Sequence, residues 1–250
     1  MATPMPRAIS PGQHRSRNRF FVWIALTMLV AVALGFGPSF YLRPFSERPA
    51  LPLHVVLHGV VLTTWYLLLL AQVLLVDRGR TDLHRKLGVA GVLLAAAVFA
   101  TGIQVHLALP GRVPPEQLAQ VVDFTIMGMG GLLAFPVLIT LAVAWRRQPA
   151  VHKRLVFWAF VLTIGPAFAP SRPLGAFLDG LVAPALPFFP SDLLWFGALL
   201  AYDWRTLRRI HPVTWIGFLT LSIYLIFGLA WLAGNPAVRE LVSTWAGAAG

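Results

Sequence analysis

The sequence predicts an all-α, polytopic membrane helix bundle of seven transmembrane helices, N-terminus in and C-terminus out. Three observations carry this. The 250 residues are 58% hydrophobic and only 12% charged, whereas a soluble domain is about 25% charged. Several apolar runs reach the roughly 20 residues that a helix needs to cross a bilayer. The cations alternate along the chain. Of the 20 Lys and Arg residues, 15 fall in the N-terminal tail and in the connections around 77–86, 146–154 and 203–211, and 5 in the remaining connections and the C-terminal tail. Short cytoplasmic loops carry such an excess, which sets the orientation.

Charge and composition also exclude function classes. The formal net charge is +11, but no compact basic domain exists to bind nucleic acid. Anionic lipid headgroups at the basic loops are the expected counter-charge. The expected location is the cell membrane, the inner one if the source is bacterial. Cysteine is absent, which rules out disulfides, iron–sulfur clusters and thiolate metal sites.

Residues 1–19 are polar and basic and read as a disordered cytoplasmic tail. An apolar run over about 20–42 follows. Its flanks resemble those of a signal peptide, but it continues well past Ala31-Val32-Ala33, so an uncleaved first helix is expected. Further spans are expected at about 52–76, 87–109, 121–145, 155–169, 191–202 and 212–233. Prolines at 170, 173, 184, 187 and 190 interrupt the apolar stretch between the fifth and sixth spans. Interior proline breaks a helix, so a short or re-entrant segment near 174–185 is expected there. The membrane domain covers 20–234. In the tail 235–250, Val238, Leu241, Val242 and Trp245 fall at helical spacing and suggest an interfacial helix.

Chemistry concentrates in the second span. His54, His58, Trp65 and Gln72 are separated by 4, 7 and 7 residues, which sets them on one stripe of a helix. Such a stripe faces the bundle interior, because hydrocarbon solvates it poorly; interhelical hydrogen bonding alone is sufficient reason for it. His106 lies near the outer end of the third span, with Asp123, Asp179 and Asp192 also on the outer side. Three imidazoles with a carboxylate, His54, His58, His106 and Asp123, form a ligand set for zinc or a related divalent metal. His58 and His106 alone form the ligand pair for one haem b. A cavity that relays protons or holds a polar substrate needs neither, and each aspartate is equally explained as a helix N-cap.

His84, His152 and His211 sit beside cations at the membrane surface, where caps and headgroup contacts account for them. His84 and His106 lie about 33 Å apart along one helix, too far to share a site. The segments Leu83-His84-Arg85-Lys86-Leu87, His152-Lys153-Arg154-Leu155 and Arg209-Ile210-His211-Pro212 are alike enough to suggest repeated helical hairpins. Gly128, Gly130 and Gly131, with Met127 and Met129, mark a close-packing patch.

His58, Gln72, Arg80 and Leu83-His84-Arg85-Lys86-Leu87-Gly88 resemble the H…Q…R…LHRxLG pattern of uncharacterised bacterial multi-pass membrane proteins of the DUF2306-like kind. That resemblance implies a membrane bundle and no particular activity. The chain is more distantly similar to cytochrome b561-like membrane proteins, which place haem-ligating histidines about four turns apart on one helix. The wider spacing of His84 and His106 leaves at most one outer site. The leading expectation is therefore a redox or metal/haem-binding membrane protein with an outer-leaflet histidine site. The alternatives are a cofactor-free transporter or small-molecule-binding protein using the same cavity, and a non-catalytic membrane partner or assembly factor docking through its basic loops.

Overall fold

The computed structural model describes residues 11–109, 118–169, 175–177, 190–224 and 229–248. Every element among them is helical. The helices are α1 (Pro11–Phe36), α2 (Leu53–Asp77), α3 (Thr81–Ala108), α4 (Leu118–Ala144), α5 (Pro149–Ile164), α6 (Pro190–Leu207), α7 (Pro212–Ile223), α8 (Leu229–Gly234) and α9 (Pro236–Ala248). Among the described residues, four stretches are long and apolar enough to cross a membrane: Arg19–Tyr41, Leu53–Asp77, Thr81–Ala108 and Phe124–Ala144. α7 is apolar but shorter.

Two boundaries differ from the sequence reading. α1 starts at Pro11, so residues 11–18 of the expected tail continue the helix. α6 runs to Leu207, well beyond the expected Tyr202. The apolar run stops marking a helix once polar residues begin, yet backbone hydrogen bonding continues wherever no breaker intervenes. The expected re-entrant segment lies outside the described residues except for 175–177, which are helical. The expected tail helix is α9, which packs on α4.

The turns follow from their residues. Gly79 takes φ +74°, the left-handed conformation that glycine adopts freely. Its N–H donates to the Val76 carbonyl and that of Arg80 to the Leu75 carbonyl, the paired bonds of a Schellman stop. α2 therefore turns directly into α3, and the two pack side by side. Pro149 opens α5 and Pro212 opens α7, positions where the missing N–H costs nothing.

The core holds large aromatic side chains: Trp65, Tyr66, Phe135, Trp158, Phe160 and Trp195 are all buried. Trp65 stacks on Phe160 with ring centres 4.4 Å apart. The Tyr66 hydroxyl reaches the Phe160 carbonyl at 3.1 Å and Thr163 at 2.8 Å, tying α2 to α5. The outer faces are equally apolar, with Leu93 71% and Val89 67% exposed. Apolar residues inside and out suit a bilayer, where the surrounding solvent is itself hydrocarbon.

Candidate functional site

The structure brings His58 and His106 into one neighbourhood. His58 extends from α2 and His106 from the last turn of α3, both half-buried, and they bond to the consecutive α3 residues Thr101 and Gly102. The Thr101 hydroxyl donates to the Ala97 carbonyl at 2.7 Å. Its oxygen therefore accepts from His58 Nδ1–H at 3.0 Å. The Gly102 carbonyl can only accept, so His106 Nδ1 is protonated across their 2.9 Å contact. Both neutral rings thus carry their lone pair on Nε2. Anchoring one ring nitrogen to the protein is how metal-ligating histidines are oriented, but Nε2 of His106 faces Gly128 on α4.

His106 is held from the α4 side. Its ring stacks on Phe124, centres 5.9 Å apart and planes 6° from parallel. A Cβ added at Gly128 would overlap the imidazole at Nε2. Across the same interface, a Cβ at Gly102 would overlap the Leu132 side chain. Each helix offers a glycine to a large side chain of the other. Of the glycine patch expected to allow close packing, Gly128 does so, and the group it admits is an imidazole; a Cβ at Gly131 would meet Leu162 only in ordinary contact.

The other predicted residues divide. His54 is half-buried one turn before His58. Trp65 lies in the core, and its indole N–H meets no hydrogen-bond partner among the described residues. Gln72 belongs to the opposite end of α2. Asp123 and Asp192 lie within α4 and α6, but their side chains fall outside the described residues, as does all of Asp179. Asp123 directly precedes the Phe124 that covers His106. Among the described residues, no three His, Asp or Glu side chains gather into a metal-holding group.

At the Asp77 end, the chain brings together residues that the sequence reading had dispersed among loops. The Gln72 amide donates to His84 Nδ1 at 2.7 Å and to the His84 carbonyl at 3.2 Å, and accepts from Gly88 N–H at 3.1 Å. His84 is therefore the Nε2–H tautomer. Its ring lies 6.3 Å from that of His152, centre to centre. His152 donates Nδ1–H to the Ala142 carbonyl at 2.8 Å, leaving a lone pair on Nε2. Donor and acceptor are thus complementary here, unlike the matched Nε2 acceptors of His58 and His106.

Beside them lies a buried ionic cluster. Arg154 is 1% and Asp203 0% exposed. The guanidinium Nη2 donates to Asp203 Oδ1. Asp203 Oδ2 accepts from the Thr214 hydroxyl at 2.6 Å and from the His211 backbone N–H at 3.0 Å. The cluster ties α5, α6 and α7 together. Lys153 donates to the Tyr202 hydroxyl at 2.5 Å and lies over the Tyr202 and Phe21 rings. Sequence reasoning read Lys153 and Arg154 as orientation, lipid-surface and repeat signals and gave them no partner. The one available hint was that Asp203 is among only three acids on the cation-rich side.

This cluster sets a pH dependence. Burial alone would raise the Asp203 pKa, but hydrogen bonds from Arg154, Thr214 and His211 outweigh it and hold the carboxyl below its ordinary 3.8. Its stabilisation is present above that value and is lost as the pH falls through the folded-state pKa. Burial, then the Arg154 charge, push His211 below its ordinary 6.5, against the opposing pull of Asp203. Folding therefore also weakens below about 6.5, where the unfolded imidazole binds a proton that the folded one refuses. The unfolding temperature in detergent should fall in two stages on acidification from neutrality. Asp203→Asn should remove the more acidic stage. A wild-type profile flat from pH 7 to pH 3 would contradict this assignment.

Fold and site define the class: a protein helical throughout its described elements, compatible with a membrane location, with an imidazole pair in a helix interface and a buried ionic cluster at the opposite end. No family model, no curated protein and no solved structure matches the chain.

Proposed function

We propose that the chain spans the membrane seven times, with its N-terminus cytoplasmic, and binds a transition-metal ion or a small redox ligand at His58 and His106. The topology is supported by the gathering of the cation-rich segments at one end of the bundle. Phe20 and Phe21 pack on Tyr202, His84 meets His152, and Arg154 meets Asp203 and Thr214. Cation-rich ends lie in the cytoplasm, so His58 and His106 fall near the outer surface. A reporter fused after Gly250 should then register outside the cytoplasm; a cytoplasmic signal would overturn the seven-span count.

The observation that carries the ligand reading is the shared tautomer. Both Nδ1–H groups are consumed by fixed acceptors on α3, so both rings keep a lone pair on Nε2; that of His58 would be the first donor, because Nε2 of His106 lies against Gly128 and reaches a ligand only if α4 shifts. The packing of His106 against Gly128 and Phe124 leaves no slot for a macrocycle at that nitrogen. This favours an ion over haem b, with further donors from water, substrate or Asp123. A bound ion would supply Lewis acidity or an electron-transfer centre. The protein would orient the two rings and hold them out of bulk water.

Metal analysis and an absorbance spectrum of the purified protein test this. Transition metal should be present in stoichiometric amount, fall sharply in His58→Ala and His106→Gln, and persist in His152→Ala. A preparation that stays metal-free and colourless after incubation with Zn, Cu, Fe and Mn salts would refute it. The imidazole pair would then be read as part of a cofactor-free polar-ligand site.

A further inference from the structure

The His58–His106 pair, on the reading of it as a ligand site, is closed by α4. The Nε2 edge of His106 lies against Gly128, where even a Cβ would overlap it. The Phe124 ring covers one face of the imidazole, its plane 6° from parallel. His106 is not free to swing clear, because its Nδ1–H is tied to the Gly102 carbonyl of its own helix. A ligand therefore reaches His106 only when α4 moves, and α4 is anchored in one part and weakly held in the other.

The anchored part begins at Phe135. That side chain is 1% exposed and meets Trp65 edge to face, with ring centres 5.6 Å apart. Further along, the Ala142 carbonyl accepts from His152. Pro136 lies inside the helix. It has no N–H to offer the Leu132 carbonyl, and its ring crowds that turn, so the hydrogen-bond ladder is interrupted between 132 and 136. Residues 118–131 are thus joined to the anchored part by a weakened turn. Within them, Thr125 is buried and its hydroxyl has no hydrogen-bond partner among the described residues. A buried, unpaired hydroxyl is costly, so the closed position carries a penalty that contact with water can relieve. The restraint lies at the end of α7, where the Tyr224 hydroxyl donates to the Gly130 carbonyl at 2.7 Å. α8 and α9 also pack on α4.

We propose that residues 118–131 form a hinged gate over the imidazole pair. They pivot between Leu132 and Pro136, withdraw Gly128 and Phe124 from His106, and are latched shut by the Tyr224–Gly130 hydrogen bond. A ligand held first by His58 gains His106 only in the open position. The C-terminal helices thereby control access to a site built on α2 and α3.

The test uses the full chain in detergent, free of added metal, with diethyl pyrocarbonate as the imidazole reagent. Peptide mass spectrometry reads the modification of His106 relative to that of His152, so that general loosening of the fold, which raises both, cancels. Tyr224→Phe keeps the ring and removes the latch; it should raise the ratio about fivefold, the weight of one neutral hydrogen bond. Pro136→Ala, which restores the missing N–H, should lower the ratio below that of wild type, and Gly197→Ala should leave it unchanged. Equal ratios in wild type and Tyr224→Phe, or a ratio raised by Pro136→Ala, would overturn the gate. Incubation with zinc chloride separates the gate from the ligand reading. Shifted ratios in a protein that takes up no zinc or other metal ion support the gate and refute the metal site, whereas zinc uptake with unshifted ratios does the reverse.

Discussion

Replacing Arg154 by methionine should destabilise the folded bundle by about 3–5 kcal/mol, the cost of leaving one member of a buried ion pair without its partner. Arg154 and Asp203 are shielded from solvent, so neither charge can recover hydration when the other is removed. Asp203 Oδ2 would keep its bonds from Thr214 and His211, but Oδ1 would lose the guanidinium. The partner substitution Asp203→Leu should be comparably damaging, because it strands a guanidinium. Combining the two should recover much of the loss, since apolar groups of similar volume often replace a buried pair without penalty. Equilibrium unfolding in mixed micelles measures all three variants. A loss below about 1 kcal/mol for Arg154→Met, the scale of exposed pairs, would show that water reaches the site.

The second large effect is expected at Gly35. A Cβ there would overlap the Ala167 carbonyl oxygen, Cα and Cβ, where α1 crosses the 3₁₀ turn Gly165–Phe168. Backbone cannot swing aside as a long side chain can, so α1 must move as a body. Gly35→Leu should cost about 1–3 kcal/mol or more, the range for overpacking a filled interface. Gly197 on α6 is the control, since a Cβ there meets nothing within 4 Å. Gly197→Ala should be neutral or stabilise by about 0.5–1 kcal/mol through helix propensity. Equal unfolding midpoints for Gly35→Leu and Gly197→Ala would contradict the close crossing.

Much of the helical fold was legible because hydropathy and helix breakers act locally. Runs of Leu, Val and Ala mark the long helices, and Gly79, Pro149 and Pro212 sit at their boundaries. The candidate site was legible only in part. Helical periodicity placed His58, Trp65 and Gln72 on one face, and that face does meet other helices. It could not say that His58 would reach Thr101, Trp65 would stack on Phe160 and Gln72 would turn to His84. Each partner lies on another element or beyond a turn, and spacing along one helix carries no information about the neighbour. Arg154 and Asp203 show the limit most sharply. In sequence each is a charge beside a loop, and only packing of α5 against α6 and α7 turns them into a buried pair.

That pair also bears on the order in which the protein is made. Asp203 follows Arg154 by 49 residues and Thr214 follows it by 60. When α5 has been synthesised, its arginine has neither acceptor and must remain in contact with water or headgroups. The guanidinium can leave that environment only after α6 has emerged and α7 has begun. Seating of α5 is thereby coupled to the arrival of about the last quarter of the chain, and a polypeptide truncated before Asp203 retains an arginine that burial would penalise, marking it as unfinished.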